Sequence, residues 1–142
     1  MLDSDSDKAK LDQAYRATEY WVATRPPICV RIGVANPAIG DLHQAHGVHC
    51  SVIITAHNPK SQQQSTLANQ QAHAQLTQAL EQAGYAKVSA TGKPLGGGWP
   101  AEEGWLVLGM DVVEASLLAE QFQQFAVVCL DAHGMPNLQW FA

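Results

Sequence analysis

The chain predicts an α+β (mixed α/β) domain: a single mixed sheet of about six strands packed with three main helices and one short helix. Three observations carry that expectation. Stretches with apolar residues at three- and four-residue spacing alternate with short runs of β-branched and aromatic residues. Gly, Pro, Asn and Asp punctuate the joints between them. The chain of 142 residues is also long enough to bury one core, and no internal repeat divides it, so residues 1–142 are expected to form one globular domain.

The elements follow in order. Residues 1–6 are polar and acidic and are expected to trail as a flexible tail. Leu11, Ala14, Tyr15, Thr18, Trp21 and Val22 recur at helical spacing, which predicts an amphipathic helix over 7–24, stopped by Arg25-Pro26-Pro27. Ile28 to Val34 reads as a strand. Asn36, Pro37 and Gly47 then bound a short helix. Its connection to the next strand is long enough for a parallel crossover, with a wide antiparallel hairpin as the alternative.

Cys50 to Ile54 reads as a buried strand, followed by the polar turn Thr55-Ala56-His57-Asn58-Pro59-Lys60-Ser61. Ser65 can cap a helix to Ala83, which Gly84 terminates. Strands over 85–90 and 104–109 flank a Gly/Pro-rich connection, 91–103, of the length that is either functional or disordered. Asp111 with Glu114 starts a helix through Gln124, with Val112, Ala115, Leu118, Ala119 and Phe122 inward. Strands over 126–130 and 138–141 close the chain as a hairpin.

Composition excludes several function classes. The net charge is -5 and the eight Lys and Arg are scattered, so no basic stripe exists to track nucleic acid. Hydrophobic residues make up 46%, too many for disorder, yet no run is long enough to span a membrane. The acidic start lacks the basic and apolar regions of a secretory leader. Cys29, Cys50 and Cys129 are odd in number, far apart and set among β-formers, so a reducing, cytoplasmic location is expected.

The stretch from Val48 to Leu80 concentrates the chemistry. A turn leaving a strand and feeding a helix is where an α/β protein often holds a ligand. At 100° per residue Asn69, Ala72, His73, Leu76, Ala79, Leu80 and Ala83 share one helix face, so Asn69 and His73 should point at the 55–61 turn. Two readings stay open. In the first, Thr55, Asn58, Ser61, Asn69 and His73 form a small-molecule pocket that Trp99, Glu102 and Gln124 close. Backbone amides with Lys60, Ser61 and Ser65 would then cradle an anionic or amide-bearing ligand. In the second, these side chains only shape the backbone, Asn58 through an Asx-turn. The apolar C-terminal hairpin would then offer its edge to a protein partner or to a second copy as a homodimer.

Other motifs carry less. His43, His46 and His49 recur every third residue, but Gly47 interrupts the helix between them and no partner has firm ligand spacing, so they are assigned no metal. Gly96-Gly97-Gly98-Trp99-Pro100 lacks the order of a phosphate-cradling loop; it reads as a lid over a ligand or as a core anchor. No activated nucleophile emerges; the His73 imidazole could move a proton and Glu102 or Glu103 could serve as acid or base, so an enzyme stays open, with its catalytic residues and any cofactor unassigned.

Ala14-Tyr15 with Thr18 and Tyr20, Arg31-Ile32-Gly33, Thr55-Ala56-His57-Asn58-Pro59 with Ser61, Asn69, Trp99-Pro100 with Glu102, and Phe122 with Gln124 together resemble a bacterial family. It is the family catalogued as domain of unknown function 3293. The resemblance implies a small stand-alone bacterial protein with no assigned activity. Ala72, His73 and Gly104 depart from the pattern, whose relatives often carry Arg, Asn and Ser there.

Overall fold

The computed structural model describes residues 5–96 and 98–141. The first helix, α1 (Asp5–Arg16), takes up the last part of the expected tail; residues 1–4 lie outside the described residues. α1 ends well short of Thr24. Thr18–Val22 is instead strand β1, in which Thr18, Tyr20 and Val22 are buried alternately. Its β-branched and aromatic residues fit a pleat better than a helix, and all five residues of the strand pair with a later one, so tertiary pairing overrides a helical spacing that also happened to fit.

β2 (Ile28–Val30) is shorter than expected, and α2 (Pro37–Ala45) opens on Pro37 and closes before Gly47, whose φ is +65°. Asn36 does not cap with its side chain; it donates to the Cys29 carbonyl at 2.8 Å. β3 (Ser51–Thr55) follows, then a single 3-10 turn at Pro59–Ser61. α3 (Thr66–Gln82) is capped as its sequence implies, the Ser65 side chain accepting from the Ala68 amide.

β4 (Lys87–Pro94) and β5 (Glu102–Leu108) both run into the expected loop, reducing it to residues 95–101. The signal missing from the sequence was non-local: Thr91 to Pro94 gain their hydrogen bonds from β1. α4 (Val112–Gln121) is capped by Asp111 and stops before Gln123, whose φ is +56°, so it falls short of Gln124; Val112, expected inward, is its first residue and is exposed. β6 (Ala126–Leu130) and β7 (Pro136–Trp140) make the final hairpin.

The fold is α+β, with one sheet in the order β2-β1-β4-β5-β3-β6-β7, curled into a half-barrel. It has seven strands where about six were expected, and every pairing is antiparallel where a mixed sheet was expected. β2 and β3 are not neighbours, so their connection is neither a parallel crossover nor a hairpin. β3 is interior, between β5 and β6, and buried on both faces. Ile53 joins Tyr20, Val22, Ile39, Leu106 and Val128 on the inner face, where α2 packs; Val52 and Ile54 join Leu76, Leu80, Val107 and Ala119 under α3 and α4. Among the described residues no helix is long and apolar enough to cross a membrane.

Candidate functional site

The upper end of β3 sets the site. Thr55 ends the strand, its hydroxyl donating to the Glu103 carbonyl at 2.7 Å and accepting from the His57 amide at 3.0 Å. The turn beyond it holds three non-glycine residues at positive φ: Asn58 (50°), Lys60 (57°) and Ser61 (56°). Such a backbone persists only where its surroundings over-determine it. The Lys60 amide donates to the Gln123 carbonyl at 2.7 Å, and the Asn58 amide donates to Asn69 Oδ1 at 2.9 Å.

Asn58 and Asn69 form a closed pair. Asn69 Nδ2 donates back to Asn58 Oδ1 at 3.1 Å, which also accepts from the Gln64 amide, and Gln64 Nε2 donates to Asn69 Oδ1 at 2.8 Å. Asn69 therefore points at the turn, as its helix face implies, but it is spent on holding the turn and does not line the cleft below.

Asn58 reaches outward with its second group, Nδ2, to Glu102 Oε2 at 2.6 Å. The Trp99 indole donates to the same oxygen at 3.1 Å. Glu102 lies on β5 beside Glu103, and strand alternation sends the two carboxylates to opposite faces. Glu102 turns to the inner face, where α1 covers it. α1 is held there by Tyr15, edge-on to Trp140 at 5.7 Å, and by Asp12, which accepts from the Trp140 indole at 3.0 Å.

Between α1 and the turn lies a cleft of about 180 Å³, walled by Leu11, Tyr15, His57, Asn58, Ser61, Pro94, Trp99, Glu102 and Gln124. It adjoins a smaller cavity of about 60 Å³ inside the half-barrel, which Tyr15, Pro94, Glu102 and Gln124 share and Thr55 and Tyr20 line. Gln124 spans the wall, donating to the His57 and Phe122 carbonyls at 3.1 and 3.3 Å. Of the residues expected at the site, Asn58, Ser61, Trp99, Glu102 and Gln124 line the cleft and Thr55 lines the inner cavity. Asn69 and His73 line neither.

Two parts of the expected anion cradle are engaged elsewhere. The Ser65 hydroxyl is used as the α3 cap, and Lys60 is exposed beside Ser116 and Glu120 on another surface. Residues 62–64 separate the turn from the helix in sequence. Sequence reasoning missed Tyr15 and the rest of the α1 wall. Their only signal was the resemblance, which included Ala14 and Tyr15 without giving them a place.

Burial sets the electrostatics. It pushes the Glu102 carboxyl above the usual range, against the hydrogen bonds from Asn58 and Trp99 that pull it down. It raises the Tyr15 hydroxyl too, against its hydrogen bond with Ser61. His57 is lowered by burial and by the His73 imidazole, while Glu103 opposes the shift. The folded protein thus holds the Glu102 proton more tightly than the unfolded chain does. The stability from that group is greatest below the ordinary glutamate pKa and declines as pH rises through the shifted value. Glu102→Gln, which stays neutral, removes that decline. Its Tm relative to wild type is expected to climb as pH rises above the ordinary glutamate range in matched thermal melts; a flat difference would contradict the shift.

His43 is buried, its Nε2 2.6 Å from the Ser51 hydroxyl and its Nδ1 3.4 Å from the Ala132 carbonyl, while His46 and His49 are exposed. The three share no centre, because the ring that faces inward is committed to the sheet.

Comparison with known proteins gives one finding. The model of the family described as "Protein of unknown function (DUF3293)" matches residues 54–127, just over half of the chain and most of the site. No curated protein and no solved structure matches.

Proposed function

The chain belongs to the DUF3293 family of proteins of unknown function, and on that premise we propose that the cleft under α1 binds a small molecule carrying an amide or amine on an apolar body. One observation carries the reading. Glu102 uses Oε2 for both Asn58 and Trp99, and Oε1 has no hydrogen-bond partner among the described residues. An oriented carboxylate oxygen at a partly apolar wall is an acceptor waiting for a donor. Of the two ligand chemistries expected from sequence, the donor-bearing one fits better. Among the described residues no Lys or Arg lines the cleft, and a bare anion would face Glu102. Tyr15, Trp99 and Leu11 supply the apolar contact.

A thermal-shift screen of primary amides, amines and their neutral isosteres tests the reading. A stabiliser is expected whose affinity Glu102→Gln weakens about 10- to 100-fold, the loss typical of a hydrogen bond to a charged group. A ligand bound equally well by Glu102→Gln would refute it.

A second reading has its own support: β7 is an edge strand, with one side of its backbone unpaired in the sheet. A second copy pairing there would make a dimer by strand addition. A concentration-dependent dimer together with an empty screen would favour it over the cleft.

A further inference from the structure

On the opposite face of the sheet, where β5 sends Glu103, we propose that His57, His73 and Glu103 form a site for a divalent transition metal of the zinc type. One ring nitrogen from each histidine and one Glu103 carboxylate oxygen all lie within 4.8 Å of one another. The three residues come from separate parts of the chain, the turn after β3, the second turn of α3 and the start of β5, so no sequence spacing announces them. His73 Nε2 stands 3.9 Å from Glu103 Oε2.

The two imidazoles are perpendicular at 6.0 Å, and His73 is stacked on Trp105 at 5.7 Å with 9° between the planes. The His73 ring is thereby held in place before any ion arrives. Two buried ring nitrogens, His57 Nε2 and His73 Nδ1, have no hydrogen-bond partner among the described residues. A buried polar atom left unpaired costs about 1–3 kcal/mol, so two in touching rings need an account. A cation taken by His57 Nε2 and shared with Glu103 supplies one for the first; His73 meets Glu103 through Nε2, so its Nδ1 is not accounted for by that contact.

The donor set selects the metal. Two imidazoles and a carboxylate suit first-row ions such as Zn²⁺, whereas Mg²⁺ and Ca²⁺ take oxygen ligands. Three protein ligands leave a fourth tetrahedral position for water or a ligand. Tetrahedral donors sit about 3.3 Å apart for Zn–N bonds of about 2.0 Å, so the observed spacing must tighten. Glu103, with 68% of its side chain exposed, is the arm free to close it. The inference does not rest on the cleft reading: Glu102 faces the other way and is not among the ligands, and His57, which also walls the cleft, is the one residue the two sites share.

Titration of tag-free protein with ZnCl₂ by calorimetry, repeated with CoCl₂ and read by visible absorption, tests the site. One equivalent is expected to bind, with cobalt bands of tetrahedral intensity. His73→Ala and Glu103→Gln should each weaken binding by more than the roughly 10–100-fold loss seen for outer-shell changes, and the exposed His46→Ala should not alter it. If a variant misfolds, histidine NMR of the wild-type protein decides the matter: zinc should move the His57 and His73 ring signals and spare those of His43. No uptake, or uptake that survives in His57→Ala/His73→Ala, overturns the proposal.

Discussion

Asn69→Ala is expected to lower stability by about 2–4 kcal/mol, a fall in Tm of roughly 6–12 °C for a chain of this size. From sequence, Asn69 could equally have been a ligand contact whose removal spares the fold. The geometry decides otherwise. Asn69 Oδ1 receives the Asn58 amide and Gln64 Nε2, and Asn69 Nδ2 returns a bond to Asn58. Alanine strands the Asn58 amide in a buried place and frees a turn held at positive φ. Asn69→Asp separates the causes: it keeps an acceptor for the Asn58 amide but sets a carboxylate against Asn58 Oδ1, so it too should destabilise the protein. The measurement is urea unfolding of all three proteins. A loss below about 0.5 kcal/mol for Asn69→Ala, the range of an ordinary surface change, would mean that the pair does not hold the turn.

Gly134→Ala should cost still more in conformational terms, at about 3 kcal/mol or above. Gly134, in the turn between β6 and β7, has a φ of +87°. A Cβ there would collide with the Asn36 carbonyl and stand 2.9 Å from the Gly40 amide nitrogen, so the start of α2 would have to move away. α2 carries Ile39, fully buried in the inner core, and the displacement would be felt there. Gly33→Ala is the internal control. Its φ is +83° but nothing lies within 4 Å of the added carbon, so only the backbone penalty of about 1–2 kcal/mol remains. Equal losses in the two variants would show that the close approach of the turn to α2 is not real.

How far the letters reach can be judged element by element. α3 is legible nearly to the residue because Ser65, Gly84 and the 3.6-residue stripe are local signals, each acting within one turn of chain. The capped start of α4 and the whole of β6 are legible for the same reason. β1 is not, because Thr18 to Val22 satisfies a helical spacing and a strand alternation alike, and only pairing with β4 breaks the tie. The second half of β4 is hidden likewise: Thr91-Gly92-Lys93-Pro94 has poor strand propensity by itself and is strand because β1 and β5 lie on either side. Once it is strand, Glu102 is fixed on one face and Glu103 on the other.

By itself the sequence determined the α+β class, the central buried strand, the capped helix after it and the choice of Asn58, Trp99, Glu102 and Gln124 as residues worth watching. The class, the strand, the helix and Asn58 follow from periodicity, caps and turn chemistry, which operate over a few residues; Gln124, and much of the case for Trp99 and Glu102, came with the family resemblance. Tertiary structure alone decided which polar groups are consumed and which stay open. Asn69 is closed on Asn58, Glu102 uses one oxygen for both Asn58 and Trp99, Tyr15 lies against the cleft from α1, and two histidines meet a glutamate across three elements. The reason is physical. Hydrogen-bond satisfaction and burial depend on neighbours brought together by antiparallel pairing of distant strands, and no local pattern in the chain encodes that meeting.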